Sequence, residues 1–222
     1  AEIEYQDKIS LAIDVAYPVH ADDRARVLAR FDPGGVVRHD DLVAVPIWTT
    51  TPWTLPASMA VTVGAEIPYS LMQVDLADGR RAYLIVADAL HMALDERVRR
   101  EAGRPADGIR ANPVHVPGAE LEGVRLHHPF YERVVSVCLG DHVTTDQGTG
   151  AVHTAPAHGV EDFGVGQRYG LETYNPVGPN GVYAADTPLF GGQYIWKAQD
   201  AIIETVRGNG LLLACDKFQH SY

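Results

Sequence analysis

Six short runs rich in β-branched residues mark out this chain. They are "LAIDVAYPV" (11–19), "LVAVPIWTT" (42–50), "YSLMQVDL" (69–76), "RAYLIVA" (81–87), "RVVSVCL" (133–139) and "GAVHTA" (150–155). Side chains of this kind pack well on a pleated surface, and the runs have strand lengths, so a sheet-dominated fold is expected. "ADGR" (77–80) joins two of the runs as a hairpin. Helical signals are fewer. "DALHMALDERVRREAG" (88–103) puts Leu90, Leu94 and Val98 on one face, with Asp88 as N-cap and Gly103 at the end. Two more helices are expected over 160–169, closing at Gly170, and over about 198–207. Residues 174–193 carry several Gly and Pro and read as an irregular loop. The expected fold is a β-rich α+β domain, a barrel or sandwich carrying a few peripheral helices.

Charge and cysteine usage narrow the function classes. The formal net charge of −11 argues against broad non-specific nucleic-acid binding but leaves room for a local basic patch. The arginines of 24–30 and 97–104 read as two solvated helix faces. No apolar run approaches the roughly 18 residues of a membrane span. Cys138 and Cys215 lie far apart in apolar runs without a CxxC pair, so both are expected as buried free thiols in a reducing compartment. The chain opens on alanine in "AEIEYQDKISLAIDVAYP" and stops at "KFQHSY", which reads as a piece of a longer protein.

Two segments could carry chemistry. In "WTTTPWTLPAS" (48–58), strand alternation puts Thr49 and Thr51 on one side and Thr50 on the other. Pro52 ends regular pairing, and Pro56 brackets Trp53 on a stiff turn. These hydroxyls either face a ligand or belong to a Thr-rich edge strand with a structural Trp. In "DQGTGAVHTAPAHGVEDF" (146–163), Gly148 and Gly150 permit positive φ or a close backbone approach. His153 and Thr154 leave their strand on opposite faces. Asp162 falls near a helix N-terminus, where it either serves the helix or holds a cationic group such as an ammonium. His153, His158 and Asp162 are residue types that suit zinc, but no HExxH or CxxC spacing accompanies them. There is no GxSxG elbow and no P-loop lysine. By themselves the residues indicate a small polar pocket.

Together, "WTTTPWTLPAS" and "GTGAVHTAPAHGVEDF", with the flanks "AEIEYQDKISLAIDVAYP" and "KFQHSY", resemble the editing domain of isoleucyl-tRNA synthetase, the connective peptide 1 insertion of that class I family. The sibling domains for valine and leucine carry Arg-Pro after the threonines, where Thr51-Pro52-Trp53 stands here. The resemblance implies a single domain over 1–222 with a closed β-barrel core. Residues 1–20 and 210–222 would be connecting segments to a catalytic body that itself would use ATP and Mg. It implies hydrolysis of the ester of valine mischarged on tRNA(Ile), with valyl-adenylate as a further substrate, no cofactor or metal in the domain, and a cytoplasmic location. A catalytically silent module that binds the amino acid or tRNA end is the alternative. Carried over residue by residue, Asp162 would bind the α-ammonium. Thr49, Thr50 and Thr51 would line the substrate site, with Thr50 and Thr51 positioning water. His153 would line the pocket and take part in size exclusion, and Trp53 would shape the pocket or the terminal-adenosine site. Ser58, which stands where relatives commonly have asparagine, would also contact the substrate.

Overall fold

A computed structural model describes residues 7–105 and 108–221. In chain order the elements begin with β1 (Asp7–Pro18), α1 (Ala21–Phe31), β2 (Leu42–Thr49), β3 (Ala60–Val63), β4 (Pro68–Asp75) and β5 (Arg81–Ala87). They continue with α2 (His91–Glu101), β6 (Arg110–Ala111), β7 (Val116–Pro117), β8 (Arg125–His127), β9 (Val134–Leu139) and β10 (Ala151–Thr154). The last three are α3 (Val160–Tyr169), α4 (Ile195–Gly208) and β11 (Leu212–Ser221). All six sequence runs are strands, and 77–80 is a hairpin turn with Asp75 opposite Arg81. The first six residues and Tyr222 of the expected flanks lie outside the described residues.

The expected closed barrel is not what these strands build. They form two mixed sheets. One has seven strands in the order β11-β1-β2-β5-β4-β6, with β7 also on β4, and the other has four in the order β10-β3-β9-β8. A barrel needs an unbroken ring of ladders. Here β11 and the short β6 and β7 remain opposite edges of the larger sheet, and β10 and β8 remain edges of the smaller one. The chain leaves β2 through a turn and re-enters as β3 in the other sheet, which divides the strands between two layers. An isolated bridge from Val19 to Leu126 joins the margins of the sheets without closing them. The parallel pairs β2–β5 and β3–β9 make both sheets mixed.

The core is aliphatic and aromatic side chains of these strands, with Tyr17, Tyr69, Tyr183, Phe31 and Phe190 fully enclosed. Burial of Leu90, Leu94 and Val98 confirms the inward face expected for α2. Its start differs, because Asp88–Leu90 is a 3-10 turn and α2 has no side-chain cap. Asp88 instead accepts from the Ser70 hydroxyl at 2.7 Å and pairs with His115 at 2.6 Å. Gly170 ends α3 in the left-handed conformation, as expected. α4 begins three residues before the expected 198. Cys138 is buried, which pushes its thiol up to about 11, whereas Cys215 is only half-buried, and both are free.

The larger sheet is tied to β10 through Gly148–Gly150. Thr149 donates its hydroxyl to Pro46 O at 2.7 Å, and Tyr69 OH donates to Gly150 O at 2.5 Å. Gly150 has φ +81°, and a Cβ there would collide with Ala87 Cβ. Gly150→Ala should therefore destabilise the chain by about 2 kcal/mol or more. Gly79, with φ +86° and open space around it, should lose only about 1 kcal/mol on the same change. Urea midpoints for the two variants check this, and equal losses would mean that the Ala87 contact carries no weight.

Candidate active site

The chain leaving β2 is shaped by its own hydroxyls. Thr50 bends, Thr51 sits at φ −124°, ψ 64°, and a 3-10 turn runs over Pro52–Ala57. Proline suits this first position because its missing N–H would have no partner there. The Thr51 N–H donates to Thr49 Oγ1 at 3.1 Å, and the two hydroxyls lie 3.3 Å apart. Alternation thus holds past the strand end. Thr49 and Thr51 form a pair, and the break at Pro52 does not turn Thr51 away from Thr49.

Side chains from distant elements satisfy the turn's backbone carbonyls. Tyr183 OH donates to Trp53 O at 2.5 Å, His128 Nε2 donates to Leu55 O at 2.9 Å, and Arg133 Nη1 donates to Pro56 O and Ser58 O at 3.1 and 2.9 Å. A segment with its carbonyls held this way is a rigid wall rather than a mobile loop. Ser58 is fully buried, and its hydroxyl accepts from Tyr17 OH at 3.0 Å. The structure thus gives Ser58 an internal supporting position against Tyr17.

The facing segment is β10 and the chain after it. β10 pairs antiparallel with β3, placing His153 opposite Val61. His153 is 7% exposed, and its Nε2 lies 3.0 Å from Thr54 Oγ1. After Pro156 the chain turns back, with His158 N–H donating to Ala155 O at 2.8 Å. α3 then starts from Gly159, which has no side chain to serve as cap. Asp162, in the first helical turn, does not complete the helix end. One of its oxygens accepts from Ala155 N–H at 2.9 Å, which pins the carboxylate to the residue that follows β10.

The electrostatics follow from burial. Burial pushes the Asp162 carboxyl above the ordinary aspartate value, more than the Ala155 N–H and the nearby His142 pull it down. The group is thus costly to ionise alone and gains from an incoming cation. Burial pushes His153 down to about 4 and lowers His158 as well, so His153 is neutral at pH 7. The Trp53 ring meets His158 edge-on at 5.4 Å and Trp196 at 6.3 Å.

Among the described residues, five buried side-chain polar atoms lack a partner in the protein: Trp53 Nε1, His153 Nδ1, His158 Nε2, His142 Nε2 and Thr187 Oγ1. Buried polar groups are nearly always satisfied, so unsatisfied atoms that gather in one place call for a partner from outside the chain, whether water, ion or ligand. Three of the five belong to this cluster.

The structure therefore joins Trp53, His153 and, through Ala155, Asp162, and it places the Thr49–Thr51 pair at the start of the same turn. Thr54 is not among the expected site residues. Its position inside the threonine-rich motif is the available signal, but no periodicity marks a hydroxyl that acts on a histidine 99 positions away. In the sequence His158 is a candidate only as a zinc ligand, and the structure gives it a ring contact instead. Among the described residues no group of three or more His, Cys, Asp or Glu side chains converges as a metal site. A groove of about 780 Å³ beside α2, lined by Met92, Arg99 and Ile109, shares no residue with this cluster.

Comparison with known proteins bears on this geometry. A sequence model described as "Leucyl-tRNA synthetase, editing domain" matches residues 114–202. The isoleucine–tRNA ligase of Shewanella amazonensis is 48% identical over 222 residues, which is 100% of this chain and 22% of that protein. The isoleucine–tRNA ligase of Photobacterium profundum is 49% identical over 225 residues, covering 100% of this chain and 23% of that protein. The chain thus spans under a quarter of the length of these relatives. A solved structure, "The crystal structure of GlLeuRS-CP1", superposes with a TM-score of 0.65 at 13% identity, covering 92% of this chain and 97% of that one, which is a likeness of fold.

Proposed function

Because the chain belongs to the isoleucine–tRNA ligase family, as the editing domain of such a synthetase, we propose that it hydrolyses the aminoacyl ester of valine mischarged on tRNA(Ile). The observation that carries this reading is the half-buried Asp162 carboxylate, tied to the backbone of Ala155 two residues after His153, together with the unsatisfied ring nitrogens of Trp53, His153 and His158. That arrangement suits a substrate with a cationic amino group and several polar oxygens.

In this reading Asp162 takes the α-ammonium. The Thr51 hydroxyl, held by Thr49, contacts the ester and orients water, and the alternation that pairs Thr51 with Thr49 leaves Thr50 on the opposite side, outside this contact. His153, backed by β3, bounds the space for the side chain and rejects the extra methylene of isoleucine. Trp53 and its aromatic neighbours border the terminal adenosine. A second sieve is needed because one methylene in a hydrophobic pocket is worth only about 1–3 kcal/mol, a general figure for which isoleucyl-tRNA synthetases are themselves the standard example. Aminoacyl esters are labile, so positioning and hydrogen-bond donors supply the acceleration without a covalent intermediate. Valyl-adenylate has the same amino and acyl groups and is proposed as a second substrate. The catalytic body of the parent synthetase is proposed as the partner that delivers the tRNA end.

The test is deacylation of valyl-tRNA(Ile) beside isoleucyl-tRNA(Ile) by the 222-residue chain and by a parent synthetase carrying it. The expected result is cleavage of the valyl ester at least about tenfold faster, the worth of one methylene. Equal cleavage of both would refute size exclusion. Binding of a non-hydrolysable valyl-adenosine without turnover in either form would leave only a binding module.

A further inference from the structure

Thr54 makes two contacts that its single hydroxyl proton cannot both donate. Thr54 Oγ1 lies 2.8 Å from Thr51 O and 3.0 Å from His153 Nε2. The Thr51 carbonyl can only accept, so the hydroxyl proton goes there, and the hydroxyl oxygen accepts from His153 Nε2–H. A neutral imidazole carries one N–H, so His153 Nδ1 is left as a lone-pair acceptor, and this nitrogen is the one buried without a partner in the protein.

We propose that Thr54 is a positioning residue that fixes the Nε2–H tautomer of His153, so that Nδ1 is presented as a hydrogen-bond acceptor for an O–H donor in the bound ester complex. The inference rests on the editing reading and deepens it, since His153 becomes a polar contact as well as a wall. The donor is either the free hydroxyl of the terminal ribose or the attacking water. The α-ammonium is assigned to Asp162, whose charge favours it. The neighbouring unpartnered nitrogen of Trp53 is itself only a donor, so it lends the complex a contact of the opposite sense. The burial that holds the imidazole neutral keeps this acceptor available at pH 7.

The tautomer is measured directly by long-range proton–nitrogen correlation on the 15N-labelled 222-residue chain at neutral pH. The expected spectrum shows Nε2 protonated and Nδ1 bare in the wild type and in Thr54→Ser, and a redistributed tautomer in Thr54→Val. Protonated Nδ1 in the wild type, or an unchanged tautomer in Thr54→Val, overturns the proposal without touching the editing reading. In deacylation, Thr54→Val should lower kcat/KM roughly tenfold, the worth of one hydrogen bond, with Thr54→Ser close to wild type. A redistributed tautomer with unchanged kcat/KM also overturns it. A valyl-tRNA lacking the free terminal ribose hydroxyl separates the donors. If the hydroxyl is the donor, Thr54→Val has no further effect on that substrate, and if water is the donor the two losses multiply. Loss of all wild-type deacylation with the expected tautomer would instead refute the editing reading.

Discussion

If the proposed contact with the α-ammonium holds, Asp162→Asn should lower kcat/KM for valyl-tRNA(Ile) deacylation by roughly 30- to 5000-fold, since truncating one partner of a desolvated charge pair costs about 2–5 kcal/mol. Asparagine keeps the size of the side chain and an oxygen for the Ala155 N–H, so the fold should persist and circular dichroism should be unchanged. Asp162→Ala also loses the tie to Ala155 and should be at least as inactive. The pH profile adds a second reading. Burial raises the folded Asp162 pKa above its ordinary 3.8. Activity that needs the carboxylate should therefore fall with decreasing pH on a limb lying above the normal aspartate range, and that limb should vanish in Asp162→Asn. Full activity in Asp162→Asn would remove the ammonium contact.

Arg97→Ala should destabilise the chain by about 3–5 kcal/mol, the cost of leaving a buried carboxylate without its partner. Arg97 Nε and Nη2 donate to the two oxygens of Asp14 at 2.7 and 2.8 Å, with the Asp14 side chain 1% exposed. Arg97 Nη2 also donates to Gly148 O at 3.1 Å, so the pair helps to seat the segment leading into β10. Burial raises Asp14 against the pull of Arg97. A carboxyl raised in the folded state binds its proton before the unfolded chain does, so lowering the pH favours folding at this group. The Arg97→Ala deficit should accordingly shrink as the pH is lowered towards the usual carboxylate range. Urea denaturation at several pH values measures it, and Asp14→Leu combined with Arg97→Met should recover most of the loss. A single-variant loss below about 1 kcal/mol would place this pair with the surface ion pairs.

Much of the fold is legible in the sequence because its signals are local. The short runs rich in β-branched residues are strands, Gly170 closes α3, and Leu90, Leu94 and Val98 face inwards. The closure of the strands is what sequence reasoning gets wrong. The parallel pairing of β3 with β9, some 75 positions later in the chain, leaves no trace in either run, and AVTV (60–63) is too short to announce itself. The site divides in the same way. Motif and alternation single out Thr49, Trp53, His153 and Asp162, and the structure joins the two segments that carry them. Ser58 looks equivalent to its neighbours in sequence, yet the chain folds its hydroxyl onto Tyr17, a residue 41 positions away. Asp14 and Arg97 sit in ordinary strand and helix patterns, and their meeting is a consequence of tertiary packing alone.

The pairing of β1 with β11 sets Asp7 opposite Ser221 and so joins the two ends of the described chain along one ladder. Closing a loop of that length carries an entropic cost that must be met before the ladder's contacts can form. During synthesis from the N-terminus, β1 can pair with β2 early, but its other edge has no partner until the last strand emerges. An open strand edge is a template for the wrong neighbour. Between the making of β2 and the making of β11, the edge of β1 that β11 later covers is open to the wrong neighbour.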